Sequence, residues 1–160
     1  METEQLEAVR QRYEFSAWKG INQLDHELSI RDVKPPEGRI EGLDTQQIRR
    51  IDPGDGSRLL RMSWEVPDRE GTLLLMDIRE CPSRDAAHEV MLELLANMQA
   101  PDVYRLEEDA PGDIAFSRDP SASLIFARGN VAVSIANGGS EIVPVDQVAR
   151  VMDEYIMEQG

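Results

Sequence analysis

The chain has 160 residues, enough for one domain of ordinary size that buries a core without disulfides or a metal. Its formal net charge of -14 argues against duplex nucleic acid or an anionic membrane surface as a partner, because both demand cationic patches. The single cysteine excludes an intrachain disulfide, and no run approaches the roughly 20 apolar residues that span a bilayer.

The N-terminal sequence METEQLEAVRQRYEF is polar and acidic, and it lacks the basic region and the apolar run of a signal peptide. We therefore expect a soluble, cytoplasmic protein, or an extracytoplasmic one if a signal peptide has been removed. Lys19 and Lys34 are the only lysines, so arginine supplies nearly all the positive charge. We interpret this as a bacterial-type genomic composition without functional weight.

Residues 1–42 are predicted to form an N-terminal helical arm followed by a loop. From Glu4 to about Ser29 the apolar residues fall three or four apart, the spacing of one helical face, and Gly20 makes this segment either two helices or one helix with a weak point. The two consecutive prolines in the segment DVKPPEGRIEG cannot continue a helix. Such an arm would either pack on its own domain or contact a partner, including a second copy of the chain in a homodimer.

Residues 43–160 are predicted to form one compact α+β domain. The alternation of Leu60, Met62 and Trp64 with polar residues indicates a half-buried strand, and the run after it has the low polarity of a strand covered on both faces. The expected strands are Arg58–Val66, Thr72–Ile78, Ile114–Phe116, Ser123–Arg128 and Val131–Ala136. The expected helices are Ser83–Gln99, with Ser83 as N-cap, and a final one marked by Val145, Val148, Ala149, Met152 and Ile156.

The order strand, strand, helix thus occurs twice. It predicts an antiparallel sheet of about five strands, built from two such units, with the helices packed on one face. This arrangement is similar to that of many bacterial domains whose hairpin closes on an Arg-Gly-Asn type of turn, here Arg128–Asn130. The resemblance covers about the last hundred residues and implies neither a family nor a site residue.

Cys81 is the candidate nucleophile, because it lies between a strand and the start of a helix. Backbone N–H groups and the helix dipole can lower the pKa of a cysteine in such a position. Glu80 and Asp85 oppose an anion there, however, and His88 points to the flank of the apolar stripe, away from the helix start. We therefore favour a role for Cys81 as a small apolar residue at a corner, with a reactive thiol as the alternative.

Trp18 and Trp64 are the candidate contacts for a ligand or partner. Trp64 belongs to the inward set of its strand, where a large ring packs in the core or lines a ligand groove. Trp18 follows the apolar position Ala17, which predicts a partly exposed ring on the N-terminal helix and hence a surface for a protein partner or for self-association. The lesser alternative is that Trp18 folds back onto its own sheet.

No metal or cofactor site is predicted. His26, His88 and Cys81 are scattered at spacings that match no zinc pattern. The segment Asp52–Gly56 lacks the alternating ligands of a calcium-binding EF-hand loop, and its Asp, Pro and Gly residues favour an ordinary turn.

The function predicted from the sequence is a non-catalytic binding or interaction domain, because no constellation with catalytic spacing stands out. One alternative is a small thiol-dependent enzyme or redox protein that uses Cys81. The other is a small-ligand-binding domain that uses the open face of the sheet.

Overall fold

The computed structural model describes residues 3–20, 28, 44–65, 73–98, 103–108, 110–118, 123–138 and 145–159. The described strands are β1 (Asp44–Ile51), β2 (Arg58–Glu65), β3 (Leu73–Glu80), β4 (Val103–Leu106), β5 (Ile114–Arg118), β6 (Ser123–Arg128) and β7 (Val131–Asn137). The α-helices are α1 (Thr3–Arg12), α2 (Arg84–Met98) and α3 (Asp146–Gln159), and a 3-10 helix covers Phe15–Gly20.

The seven strands form one open antiparallel sheet in the order β1-β2-β3-β7-β6-β5-β4. Strands β1 to β3 are one meander and β4 to β7 a second, and β3 joins β7 with Leu74 opposite Asn137 and Glu80 opposite Val131. Helix α2 connects the two meanders and contacts β6 and β7. The predicted α+β class and antiparallel sheet are confirmed. The predicted five strands in two strand-strand-helix units are too few, because β1 and β4 were not recognised.

Helices α2 and α3 lie on opposite faces of the sheet, so the prediction that both pack on one face is wrong. Consecutive residues of β6 show the reason, since Ile125 packs in one core with α2 while Phe126 packs in the other with α3. We call these the α2-side core and the α3-side core. The whole middle of β6 is buried, which requires a cover on each face.

The predicted cover on both faces of β3 is also wrong. Leu75 in the middle of this strand is 42% exposed. On the same face of the sheet Arg61 of β2 donates two hydrogen bonds to Asp77 of β3, at 2.8 and 3.1 Å. The α2 side of the β1–β3 meander is therefore a solvent-exposed sheet surface that carries an ion pair and an apolar side chain.

The N-terminal helix is shorter than its apolar spacing predicts. It ends at Arg12, and Glu14 then adopts a left-handed backbone conformation with φ of 54° before the 3-10 helix begins. Helix α1 packs on α2, where the guanidinium of Arg10 donates to both carboxylate oxygens of Glu89, at 2.9 and 3.0 Å. The predicted loop at residues 32–42 lies outside the described residues, and so does the predicted domain boundary between 42 and 43, which stays a prediction.

A partly buried ion cluster attaches α3 to the end of the β6–β7 hairpin. The guanidinium of Arg128 donates to both carboxylate oxygens of Asp153 at 2.9 and 2.7 Å, and to Asp113 at 3.2 Å. The backbone N–H groups of Gly112 and Gly129 donate to Asp153 and Asp113, at 2.8 and 2.7 Å. Burial raises the pKa of Asp113, while the Gly129 hydrogen bond and Arg128 act in the opposite direction. The Arg128 guanidinium therefore holds the carboxylates of Asp113 and Asp153 together, and with them the end of β6, the residues just before β5 and helix α3.

No helix in the described parts of the chain is long and apolar enough to cross a membrane.

Candidate functional site

A concavity among the described residues lies where β1 turns into β2. It is an open cavity of about 600 Å³ at the end of the first hairpin, and we call it the hairpin groove. Its lining residues are Arg50, Ile51, Asp52, Gly54, Gly56, Ser57, Arg58, Leu59 and Leu60. The groove therefore combines apolar side chains, two guanidinium groups and the backbone of a tight turn.

The turn that closes the groove is shaped by two aspartates. Asp52 accepts a hydrogen bond from the N–H of Gly54 at 2.8 Å, and Asp55 accepts one from the N–H of Ser57 at 3.0 Å. Such bonds to a backbone N–H two residues on are the local signature of aspartate in turns. Gly54 and Gly56 have backbone φ values of 84° and 86°, which residues with a side chain rarely adopt. The predicted turn at Asp52–Gly56 is confirmed.

Arg79 of β3 fixes the far side of this turn. Its guanidinium forms an ion pair with Asp55 and donates a hydrogen bond from Nε to the Ser57 hydroxyl at 3.0 Å. The hydrogen bonds from Ser57, together with Arg79, lower the pKa of Asp55 to about 2, so this carboxylate is ionised at neutral pH. Gly56 also lies against Pro82, because a Cβ built on it would be 3.3 Å from the proline ring. The turn is thus held against the corner between β3 and α2.

Arg50 and Arg58 stand on the same face of the hairpin. Arg50 lies opposite Leu60 in the β1–β2 register, and Arg58 precedes Leu60 by two residues, which places all three on the α3 side. Both arginines are exposed. The Arg58 guanidinium forms an ion pair with Glu80, with 4.0 Å between its nitrogen and the carboxylate oxygen. The groove wall therefore carries two guanidinium groups on the face that also holds the buried Leu60.

Cys81 lies next to this region but does not line the groove. It is 4% exposed and belongs to the α2-side core. Burial raises the pKa of its thiol to about 11, and the sulfur lies 3.9 Å from the backbone oxygen of Arg79. Its own backbone is held by Asn130, whose carbonyl oxygen accepts from the Cys81 N–H at 2.8 Å. The thiol of Cys81 is therefore buried and, with its raised pKa, protonated at neutral pH.

The start of α2 has the cap that its sequence predicts. The hydroxyl of Ser83 accepts a hydrogen bond from the N–H of Ala86 at 3.1 Å, as an N-cap does. Cys81 lies outside this first helical turn. The helix start therefore satisfies one of its own N–H groups through Ser83.

The two tryptophans are buried in different cores. Trp18 is 0% exposed, so the predicted partial exposure of its ring is wrong. Its indole N–H donates to the carbonyl oxygen of Tyr13 at 2.9 Å, and its ring packs beside Phe116 and His88 in the α2-side region. Trp64 is 2% exposed in the α3-side core. Neither ring lines the hairpin groove, and their role as ligand or partner contacts stays a prediction.

His88 is the buried histidine of this region. Burial lowers the pKa of its imidazole, and Arg84 acts in the same direction. Its Nε2 atom is buried without a hydrogen-bond partner. In the part of the chain that the structure describes, no group of three or more His, Cys, Asp or Glu residues is arranged to hold a metal ion.

The sequence indicates the turn of the groove but not the residues of its walls. Arg50 lies in β1, whose sequence DTQQIRRI shows no clear alternation, so its side chain could not be assigned to a face. One feature of the sequence could have indicated the walls of the groove. The two arginines are placed symmetrically about the turn, since Arg50 precedes Asp52 by two residues and Arg58 follows Gly56 by two.

Comparison of the chain with models of protein families, with curated proteins and with solved structures finds no match in any of the three.

Proposed function

We propose that this chain is a non-catalytic binding domain whose ligand is a small molecule held in the hairpin groove. The observation that carries this proposal is the cavity of about 600 Å³ at the end of the first hairpin. Small-molecule sites typically have volumes of roughly 300–1,000 Å³ and combine apolar walls with a few polar groups. Ile51 and Leu59, which pair across the hairpin and are partly exposed, supply apolar side chains here, and Arg50 and Arg58 supply polar groups.

The rigidity of the groove supports the same proposal. Asp52 and Asp55 each bind a backbone N–H of the turn, and Arg79 holds Asp55 and Ser57 from the neighbouring strand. A site whose wall is cross-linked by its own hydrogen bonds loses little conformational entropy on binding. The network therefore favours a preformed site over one that must fold around its ligand.

The alternative of a thiol enzyme is disfavoured by the surroundings of Cys81. The reactive form of a cysteine is the thiolate, and a pKa of about 11 leaves a very small thiolate fraction at neutral pH. The side chain is also largely inaccessible to a substrate, since the residue is 4% exposed.

A second candidate site is the exposed surface on the α2 side of the β1–β3 meander, in line with the prediction that an open sheet face binds a ligand. Leu75, with 42% of its surface exposed, is the observation that favours it. The adjacent pair of Arg61 and Asp77 already satisfies both charges, so the surface offers an apolar contact with few polar groups to orient a ligand.

The test is a fragment titration of the isotope-labelled full chain, followed by NMR of the backbone amides. We expect neutral and charged organic fragments to shift the amides of Gly54, Ser57 and Leu59. The substitution Ile51→Trp should fill the groove and abolish these shifts, whereas the control Leu75→Trp adds the same ring on the exposed sheet surface and should leave them unchanged.

Two outcomes would contradict the proposal. The first is a library that shifts none of the groove amides at millimolar concentration. The second is a set of shifts centred on Leu75 and Asp77, which would move the binding site to the exposed sheet surface.

A further inference from the structure

We infer that residues 3–18 form a clasp on helix α2 that opens when His88 is protonated, and that mildly acidic pH thereby exposes an apolar surface. We call these residues the N-terminal clasp. They comprise α1, the link through Tyr13 and Glu14, and the 3-10 helix as far as Trp18. Because none of its residues lines the hairpin groove, the clasp is a device in addition to the proposed binding function.

The attachment of the N-terminal clasp depends mainly on one ring. Trp18 is the one side chain among the described residues 4–18 that is fully buried, and it lies in the α2-side core. The other apolar side chains of the clasp that pack on this core are only partly buried: Val9, Tyr13 and Phe15. The ion pair of Arg10 with Glu89 has side chains that are 32% and 48% exposed, and such a pair contributes little to stability. Unfavourable surroundings of the Trp18 ring would therefore release the whole clasp.

The Trp18 ring packs against a buried imidazole. The centroids of the Trp18 and His88 rings are 5.8 Å apart, with an angle of 87° between the ring planes. His88 is 2% exposed, and its Nε2 atom is buried without a hydrogen-bond partner. An imidazolium carries an N–H on both ring nitrogens. Protonation under the closed clasp would therefore create a buried charge with no hydrogen-bond acceptor at Nε2, which is costly.

The charged neighbours of His88 on α2 also oppose its protonation. Burial lowers the pKa of His88, and Arg84 lowers it further, while Asp85 acts in the opposite direction. Arg84 lies one helical turn before His88, so the two side chains are neighbours on the helix surface. The Nε atom of Arg84 is itself buried without a hydrogen-bond partner. A second cation beside this guanidinium is more easily accepted once His88 is in water.

The titratable groups of the other elements around α2 are already engaged. Arg10 of α1 is paired with Glu89. The pKa of Tyr13 is raised by burial, so its phenol is neutral at acidic and neutral pH. Asp113, just before β5, is bonded to the Arg128 guanidinium and feels the charge of Arg84, and burial raises its pKa. The experiment must therefore separate the titration of His88 from that of Asp113.

The opening is limited by an anchor further along the chain. Leu28 is buried in the α3-side core, and its backbone is held by the Asn130 side chain. The Leu28 N–H donates to Asn130 Oδ1 at 2.7 Å, and Asn130 Nδ2 donates to the Leu28 carbonyl oxygen at 3.0 Å. These neutral groups do not titrate between pH 7 and 5. Opening should therefore stop before Leu28 and uncover Phe116, whose ring packs beside Tyr13 and Trp18 in the closed clasp.

The coupling between opening and protonation fixes the size of the effect. A solvent-exposed histidine has a pKa of about 6.5, and the pKa of His88 in the closed clasp is lowered below this value. The clasp is therefore most stable above pH 6.5 and weakens as the pH falls. Between pH 7 and 5 the equilibrium constant for opening can rise by at most about 25-fold, and we expect at least about fivefold.

The experiment measures hydrogen exchange of the Trp18 indole N–H by NMR, in the full chain at pH 7 and pH 5. This N–H donates to the Tyr13 carbonyl oxygen at 2.9 Å inside the clasp, so it exchanges with water when the clasp opens. The amides of Ile125 and Val133, in the central strands β6 and β7, report global unfolding. After correction for the intrinsic exchange rate at each pH, we expect the opening constant of the indole to rise at least about fivefold and to exceed that of the central strands.

Two variants assign the effect. His88→Leu removes the titrating group and retains Asp113, so it should abolish the rise in the opening constant. The matched control His26→Leu removes the only other histidine of the chain and should keep the rise. Urea unfolding of both variants checks that the fold is retained.

Three outcomes would overturn the clasp mechanism. The first is an indole opening constant that is the same at pH 7 and pH 5 in the natural chain. The second is a rise that survives His88→Leu or disappears in His26→Leu, because another group would then be responsible. The third is an indole opening constant at pH 5 equal to that of the central strands, because the clasp would then open only when the whole protein unfolds. None of these outcomes bears on ligand binding in the hairpin groove.

Discussion

Replacing Gly112 by alanine should destabilise the protein far more than the same change at Gly54. Both glycines have positive φ, 70° and 84° respectively, so alanine is strained at either position. They differ in the space around the missing Cβ. At Gly54 nothing lies within 4 Å, whereas at Gly112 a Cβ would be 2.4 Å from the backbone oxygen of Ala127 and 2.8 Å from the ring of Phe126.

The expected magnitudes follow from these distances. A left-handed conformation costs an alanine about 1 kcal/mol, which is the whole effect expected for Gly54→Ala. The contact at Gly112 cannot be relieved by a rotamer change, because its closest atom belongs to the backbone of β6. Displacing packed backbone adds about 2 kcal/mol, so we expect a loss of about 3 kcal/mol for Gly112→Ala. In a domain of this size that corresponds to a fall in Tm of roughly 6–12 °C.

The assay is urea unfolding of the two variants and the natural chain, followed by tryptophan fluorescence. Trp18 and Trp64 are both buried and lie in different cores, so the signal reports on both sides of the sheet. Free energies of unfolding within about 0.5 kcal/mol of each other for Gly112→Ala and Gly54→Ala would refute the reasoning, since the close approach of Gly112 to β6 would then have no energetic consequence.

Three further predictions concern buried polar groups. Cys81 should react slowly with a disulfide reagent at pH 8 in the native protein and rapidly in guanidinium chloride, because burial raises its pKa to about 11; rapid native reaction would contradict this. His88→Leu should increase the free energy of unfolding by about 1 kcal/mol at pH 7, because it removes a buried nitrogen without a hydrogen-bond partner. The native pKa of His88 is lowered below 6.5, so the unfolded chain takes up this proton first and stability falls with pH below about 6.5; urea titrations between pH 7 and 5 should show a shallower fall in the variant. Arg128→Met should cost about 3 kcal/mol in the same assay, because it leaves Asp113 and Asp153 without their cation, and a cost below 1 kcal/mol would be inconsistent with the ion cluster.

The sequence predicted the central strands well and missed the edges. The expected strand Ser123–Arg128 is found with those bounds, and the helix expected at Ser83–Gln99 spans Arg84–Met98. These segments are buried, so their apolar spacing reflects the fold directly. The missed strands β1 and β4 are the two edges of the sheet. Edge strands are often polar or short, and β4 has four residues while β1 carries two adjacent arginines.

The placement of the helices and the candidate groove depended on information that is not local in the sequence. Which face a helix covers is decided by the order of the strands, and β6 gave the one usable signal through its unbroken apolar run. The groove needs the register of β1 on β2, which puts Arg50 and Arg58 on one face. Trp18 lies next to an apolar position in sequence, but the 3-10 helix turns its ring into the core.

The sheet order also has a consequence for how the chain acquires its structure during synthesis. Strand β3 is complete at Glu80, yet its second neighbour is β7, whose residues Val131–Asn137 leave the ribosome more than fifty residues later. Until then the first meander has an open edge in what will become the middle of the sheet. An unpaired strand edge is a template for association with other chains. Pairing between such distant segments is also entropically costly and slow. We therefore expect nascent chains of this protein to be exposed to aggregation until β3 pairs with β7.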